Sequence, residues 1–272
     1  HGVDIRTGEL VEFQHSINRA GDKASVAQSL KRLRDIINAN LENSSNALWV
    51  TLTYADLMTD GKRLYADFHA FWKRFLRYQE REGQPSALYI ACAEPQARGA
   101  WHLHVILIFP EIAPFIPNAS MERLWRHGFT KTKSLKAVDN PGLYLTAYLG
   151  NMEITEAVQA GAMSTKIKDV DVTSEDGTRH KKAIIKGARL HMYPPGFNIY
   201  RTSRGIKRPI INTMTEEEAQ KIVGNAPLTY EKTIQVVDGA GEIRNTINYR
   251  TYTKPPAESD NETPAKTEQE TK

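Results

Sequence analysis

The sequence predicts an α+β fold, with a central antiparallel sheet of about five strands and helices packed on it. Apolar and β-branched residues form three strand-like runs, at 47–54, 87–94 and 100–109. The second and third runs are joined by the short polar link PQARG, a spacing typical of a β-hairpin. Hairpins, in contrast to βαβ units, produce antiparallel sheets. We expect the third run to be a central strand.

Helical patterns lie before, between and after these runs. Apolar residues recur at helical spacing in two segments, as Val26, Leu30, Leu33 and Ile37 in the first and as Leu64, Phe68, Phe71, Trp72 and Phe75 in the second. A short helix is expected around 121–127, and Asn140 followed by Pro141 is typical of the start of another. The Asp60-Gly61 pair is expected to form the turn that ends the first strand. The polar stretch from Gly161 to Thr178 is expected to be a loop.

The composition is that of a globular chain. Because many acidic residues lie in the tail, the rest of the chain is more basic than the net charge suggests, which favours a polyanionic partner. The chain is 40% hydrophobic and 25% charged, with a formal net charge of +4, and its acidic residues concentrate after Pro255. The only cysteine is Cys92, so neither a disulfide framework nor a thiolate metal site is expected. No run approaches the roughly 18 apolar residues of a membrane helix. We therefore expect a cytoplasmic protein without membrane contact.

Four parts are expected along the chain. Residues 1–46 form a helical segment that packs on the following domain, and residues 47–212 form the domain that carries the motifs and a basic downstream segment. Residues 213–254 form a C-terminal extension. The stretch 255–272 lacks apolar residues and is expected to be a disordered acidic tail.

The pattern His102-Leu103-His104 lies inside the third strand-like run. Strand alternation places both imidazoles on one face, about 6.5 to 7 Å apart along the strand. Glu94 ends the preceding strand and is expected to fold back across the hairpin toward the same face. Two imidazoles and a carboxylate suit a divalent cation acting as a Lewis acid, and we expect Mg²⁺ or Mn²⁺. The alternative is a pair of polar histidines on an exposed sheet face.

Tyr144 and Tyr148 are four residues apart in the helix that begins near Pro141, so they share one helix face. Tyrosine is a poor nucleophile at neutral pH because its pKa is about 10. A phosphodiester polarised by a metal ion would be open to attack by a phenolic oxygen. The alternative is that both rings pack against the sheet.

The segments LWVTLTY, E-x7-H-L-H and Y-x3-Y resemble, in order and spacing, the three motifs of HUH rolling-circle replication initiators. The likeness is closest to the replication-associated proteins of single-stranded DNA phages and integrative elements. It covers roughly 47–152, and YPPGFNIYRTSRGIKRP resembles a segment downstream of the motifs in the mobile-element branch. The resemblance implies an HUH endonuclease fold, with Glu94, His102 and His104 as metal ligands and with Tyr144 and Tyr148 as the tyrosine motif.

The function implied by this resemblance is site-specific nicking and rejoining of single-stranded DNA through a 5′-phosphotyrosine. The reaction would initiate rolling-circle replication of a plasmid, phage or integrative element. Two alternatives stay open: an HUH relaxase or transposase for conjugation or transposition, and a non-catalytic DNA-binding replication protein.

The tyrosine motif departs from the phage pattern. Phage members usually read Y-x-x-K-Y-x-x-K, whereas this chain has Ala147 and Asn151 at the lysine positions. Parvoviral initiators, which read Y-x-x-N-Y, also lack the first lysine and attack with the second tyrosine. By that likeness we expect Tyr148 to be the primary nucleophile and Tyr144 a helper or second nucleophile.

Basic residues outside these motifs are expected to bind DNA phosphates. They are Lys131, Lys133, Arg201, Arg204, Lys207 and Arg208. The expected partner is single-stranded or hairpin origin DNA. No GxxxxGK[ST] loop occurs, so no nucleotide cofactor is expected and strand separation is assigned to a host helicase.

Overall fold

The structure of the chain is a computed structural model that describes residues 2–3, 7, 10–11, 18–21, 23–41, 44–135, 141–153, 167–173, 179–185 and 187–252. The chain divides into two compact units, His1–Pro209 and Ile210–Lys272. The acidic tail expected at 255–272 lies outside the described residues.

The elements of the described residues are given in chain order. The strands are β1 (Gly2–Val3), β2 (Leu10–Val11), β3 (Ala47–Thr53), β4 (Leu88–Pro95), β5 (Trp101–Ile108), β6 (Thr130–Ser134), β7 (Met152–Glu153), β8 (Ile167–Thr173), β9 (Arg179–Ile185), β10 (Tyr200–Thr202), β11 (Leu228–Val237) and β12 (Ile243–Tyr252). The helices are α1 (Lys23–Asn40), α2 (Gly61–Arg81), α3 (Asn118–Trp125), α4 (Pro141–Gly150) and α5 (Glu216–Val223).

The first unit is built on a five-stranded antiparallel sheet with the order β10-β4-β5-β3-β6. The predicted hairpin is its β4–β5 pair, and β5 is the middle strand. The predicted fold class, an antiparallel sheet of about five strands with helices packed on it, is therefore confirmed.

Alternation along β5 gives the sheet two different faces. Leu103 points to the face covered by α2, and the side chains of Leu103, Leu64, Phe68, Phe71 and Phe75 are at most 2% exposed. Burying one such side chain contributes about 1.5–3 kcal/mol, so this face is a stable base for the hairpin. His102 and His104 point to the other face, and α4 contacts both α1 and β4.

The first strand ends earlier than expected. β3 stops at Thr53, and Asp60 does not form the turn after the strand but is the N-cap of α2. Its Oδ1 accepts hydrogen bonds from the backbone N–H groups of Lys62 (2.8 Å) and Arg63 (3.2 Å). Aspartate is favoured there because the first N–H groups of a helix have no partner within it.

The polar stretch 161–178, expected to be a loop, contains strand β8. β8 pairs with β9 in a three-stranded sheet of order β7-β9-β8. The loop prediction is wrong over Ile167–Thr173 because the backbone ladder with β9 supplies the hydrogen bonds of this strand whatever the charge of its side chains.

The second unit contains α5 and the hairpin β11–β12. α5 begins with a capping box in which the Thr215 side chain accepts from the Glu218 N–H and Glu218 accepts from the Thr215 N–H. Among the described helices of both units, none combines the length and the apolar character needed to cross a membrane.

Candidate active site

The β4–β5 register brings the predicted metal ligands together. Glu94 lies directly opposite His102, and Cys92 lies opposite His104, so Glu94 and both histidines share one face. Glu94 and His104 are each 7% exposed, and His102 is half-buried. The expectation that Glu94 folds back toward the histidine pair therefore matches the geometry of the hairpin.

His104 is held by a chain of hydrogen bonds that starts on β3. The Trp49 indole N–H donates to Thr51 Oγ1 at 3.3 Å, and Thr51 Oγ1 lies 3.3 Å from His104 Nδ1. His104 Nε2 lies 2.5 Å from Glu94 Oε2. Because a carboxylate can only accept, Nε2 of His104 carries a proton. The rings of Trp49 and His104 also touch, with centroids 5.3 Å apart.

Arg189 links Glu94 to the end of helix α4. Its Nη2 lies 3.0 Å from Glu94 Oε1, and its Nη1 donates to the Pro95 carbonyl at 2.6 Å. Its Nε donates to the Asn151 carbonyl at 3.2 Å, and its backbone N–H donates to the Gly150 carbonyl at 3.2 Å. The side chain is 3% exposed, so it is part of the interior.

Burial and neighbouring charges shift the pKa of Glu94 in opposite directions. For His102, burial and most of the neighbouring charges lower the pKa together. Burial alone would raise the pKa of Glu94, but the charges of His104 and Arg189 and the bond from His104 outweigh it, and the pKa lies below its ordinary value. Burial lowers the pKa of His102 to about 4, although the charge of Glu94 opposes this shift. At neutral pH Glu94 is therefore a carboxylate and His102 a neutral imidazole.

These protonation states fit a divalent cation, which binds carboxylate oxygens and neutral imidazole nitrogens. His102 Nε2 fits best, because it is buried and has no hydrogen-bond partner among the described residues, a costly state for a polar atom unless something binds it. Glu94 and His104 are instead bonded to each other. Accordingly, among the residues that the structure describes, no group of three or more His, Cys, Asp and Glu side chains is arranged to hold a metal ion.

The predicted nucleophiles lie on α4, of which the structure describes the backbone at Tyr144 and Tyr148 but not these two side chains. Tyr144 lies in the first turn and Tyr148 one turn later. The Tyr193 hydroxyl lies 2.9 Å from the Ala93 carbonyl and 3.0 Å from the Leu149 carbonyl. The backbone just after Tyr148 is thus fixed beside the residue that precedes Glu94.

The predicted DNA-binding residues lie in three places. Lys131 and Lys133 are exposed on the edge strand β6, and Lys131 is in register with Thr51, which pairs with His104. Lys131 is therefore on the His104 face, about 10 Å away across two strand spacings.

The segment Arg204–Arg208 lies at the end of the sheet opposite to Glu94 and the histidines. Ser203 bonds to Tyr89, five residues before Glu94 on β4, which places the segment about 17 Å from Glu94. Arg204, Lys207 and Arg208 are exposed. The backbone of Lys207 is held by both polar atoms of the Asn40 side chain, at 2.9 Å each.

Arg201 stands apart from the other basic residues. Its register partner is Ala91, so its side chain is on the sheet face opposite to the histidines. Its guanidinium lies 3.8 Å from the centroid of the Tyr65 ring on α2. The contact with Tyr65 favours a packing role for Arg201, and its predicted role in DNA binding remains to be tested.

A cavity of about 390 Å³ lies beside the end of β3, lined in part by Tyr54, Arg63, Arg126 and His127. None of the three predicted metal ligands lines it. The candidate site is therefore recognised by its donor atoms and not by a cavity.

Three residues of the site were not predicted from the sequence. Trp49 and Thr51 follow an alternating pattern along β3, and this pattern would have placed them on the face of the histidines once the β3–β5 pairing was assumed. Arg189 gave no such signal, because its partners at 94–95 and 150–151 are distant in the chain.

Residues 47–153 match the model of the family Replication-associated protein ORF2/G2P. The match begins at β3 and ends just after α4, so it contains the predicted metal ligands and both tyrosines. It confirms the predicted resemblance to rolling-circle replication initiators for this segment and supports a role in the initiation of replication. No curated protein and no solved structure matches the chain.

Proposed function

We propose that this protein nicks and rejoins single-stranded DNA through a tyrosine nucleophile to initiate rolling-circle replication of a mobile element. The observation that carries the proposal is the register of the hairpin, with Glu94 opposite His102 and His104 on the same face, beside the helix that carries Tyr144 and Tyr148. The family match supports the replication role.

Each group has a defined task in this proposal. Glu94, His102 and His104 hold Mg²⁺ or Mn²⁺, which when bound neutralises charge on the non-bridging oxygens of the scissile phosphate. For this, the Glu94–His104 hydrogen bond would open and the proton on His104 Nε2 would be released, whereas the neutral His102 needs no proton to be removed. Lys131 and Lys133, on the same face, bind neighbouring phosphates.

The chemical step is a transesterification, with Tyr148 as the primary nucleophile and Tyr144 as helper or second nucleophile. The phenolic oxygen forms a bond to phosphorus and loses its proton, while the bond between phosphorus and the 3′ oxygen breaks. The 3′ oxygen takes up a proton, leaving a 3′-hydroxyl and a 5′-phosphotyrosine. Rejoining reverses these changes. A host helicase supplies strand separation.

A second candidate function is a DNA-binding replication protein without nicking activity. One observation favours it: both oxygens of Glu94 and both ring nitrogens of His104 have partners within the protein. In that case the Arg189–Glu94–His104 network is a structural element of the sheet and needs no metal.

Labelled single-stranded oligonucleotides that tile the element carrying the gene separate the two candidates. With Mn²⁺ or Mg²⁺, we expect a 3′-labelled oligonucleotide to become covalently attached to the protein and a 5′-labelled one to be shortened to a product with an extendable 3′-hydroxyl. EDTA should prevent both. Binding without any adduct would favour the non-catalytic protein, and adducts at transposon ends or a transfer origin would favour a transposase or relaxase.

A further inference from the structure

Arg189 contacts both the Glu94 carboxylate and the backbone at the C-terminal end of α4, the helix that carries Tyr144 and Tyr148. Its three guanidinium nitrogens are divided among three segments: Nη2 faces Glu94 Oε1 at 3.0 Å, Nη1 the Pro95 carbonyl at 2.6 Å and Nε the Asn151 carbonyl at 3.2 Å. Only a planar guanidinium, with its N–H donors in fixed directions, can reach these three oxygens at once. A lysine ammonium cannot replace it.

Arg189 is buried, and its charge and hydrogen-bond donors have partners within the protein. The side chain is 3% exposed, and its positive charge is compensated by Glu94 and by carbonyls at the C-terminal end of α4, where the helix dipole favours a cation. Its backbone N–H also bonds to the Gly150 carbonyl at 3.2 Å. Arg189 is therefore bonded to the last carbonyl of α4 and to the carbonyl that follows it, two and three residues beyond Tyr148.

We propose that Arg189 is a positioning residue, which sets the Glu94 carboxylate in place for metal binding and holds helix α4, with Tyr148, at a fixed distance from it. This inference rests on the proposed function. Partners that orient a metal ligand from outside the coordination sphere commonly change metal affinity or activity by 10- to 100-fold when they are replaced.

The test compares Arg189→Lys, which keeps the charge but loses the fork, with Arg74→Met. Arg74 is a matched control because its guanidinium also donates to carbonyls at a helix end, those of Leu124 (2.7 Å) and Trp125 (3.2 Å), but away from Glu94. Mn²⁺ binding to the DNA-free protein is measured by electron paramagnetic resonance. Single-turnover adduct formation and DNA affinity are measured in parallel.

We expect Arg189→Lys to weaken Mn²⁺ binding by about ten- to a hundredfold and to slow adduct formation even at saturating Mn²⁺, with DNA affinity unchanged. Arg74→Met should change only thermal stability. A folded Arg189→Lys protein with parental Mn²⁺ affinity and parental rate would overturn the proposal. So would a parent protein that binds no Mn²⁺ at all.

The Mn²⁺ titration separates this proposal from the proposed function, because it needs no nicking. If the parent binds Mn²⁺ and Arg189→Lys binds it weakly, while neither forms an adduct, the positioning of Glu94 stands and the nicking function fails. Arg189→Gln is the second variant if the lysine variant does not fold. Failure of both to fold would overturn the proposal, since Arg189 would then be a requirement of the fold itself.

Discussion

The two ends of the central sheet differ in how their charged residues are held. At the end with the histidines, Glu94, His104 and Arg189 are almost fully buried and bonded to one another. At the other end, Arg204, Lys207 and Arg208 are exposed, and the segment is anchored through its backbone by Asn40. The first arrangement suits chemistry, which needs groups in fixed positions, and the second suits phosphate binding, which needs accessible charge.

The largest effect is expected at His102. His102→Ala should slow adduct formation by at least about a hundredfold, because the variant loses a proposed metal ligand, and replacing even a residue that only orients a ligand costs 10- to 100-fold. Stability should hardly change, since His102 Nε2 has no hydrogen-bond partner among the described residues. His69→Ala, at an exposed histidine of α2, is the control. A parental single-turnover rate in His102→Ala would place the metal site elsewhere.

His104 should respond differently from His102, because it is bonded on both sides. His104→Ala should lose nicking as well, and should also lower the free energy of unfolding by about 1–3 kcal/mol, since Glu94 Oε2 is left buried without its donor. Urea unfolding of both variants measures the difference. Equal stability of the two would contradict the hydrogen-bond chain from Trp49 to Glu94. The double His102→Ala, His104→Ala variant would combine both effects and is therefore a less clean test than His102→Ala alone.

The basic segment Arg204–Arg208 and the lysines of β6 should differ in how they affect DNA affinity and the rate of adduct formation. Arg204→Gln with Lys207→Gln should reduce the salt dependence of single-strand binding by about 0.7 per lost phosphate contact, without slowing the reaction at saturating DNA. Lys131→Gln with Lys133→Gln should reduce the slope similarly and slow the reaction too, because these lysines share the His104 face. An unchanged salt slope in both variants would mean that the clusters only keep the surface soluble.

The smallest effect is expected at Arg201. Arg201→Gln should cost about 0.5–1 kcal/mol of stability through loss of the contact with the Tyr65 ring, and should leave the salt slope nearly unchanged, because Arg201 is on the opposite face from the site. Thermal unfolding and DNA titrations at several salt concentrations measure both. A slope change as large as that of the Arg204 and Lys207 variant would show that Arg201 binds DNA.

The sequence predicted those features that depend on local periodicity. The hairpin and the shared face of Glu94, His102 and His104 follow from alternation and a short link, which fix the register between neighbouring strands. The helix with both tyrosines likewise followed from the Asn140-Pro141 pair. Local pattern was therefore enough to place the candidate ligands.

The sequence did not predict contacts between distant segments. Arg189 is 95 residues after Glu94 in the chain, and nothing in its own neighbourhood indicates that it pairs with a carboxylate. Strand β8 was missed because its charged residues give no apolar strand pattern, although its backbone pairs with β9. Both omissions concern interactions that tertiary structure, rather than intrinsic propensity, decides.

The most direct test of the nicking mechanism is adduct formation by Tyr148→Phe and Tyr144→Phe, since each change removes only a hydroxyl. We predict that Tyr148→Phe forms no covalent DNA adduct with Mn²⁺, and that Tyr144→Phe still forms one, because the backbone after Tyr148 is fixed beside Ala93. The opposite pattern would reverse the assignment, and loss only in the double variant would make the two tyrosines interchangeable. An adduct that survives the double change would contradict the tyrosine mechanism.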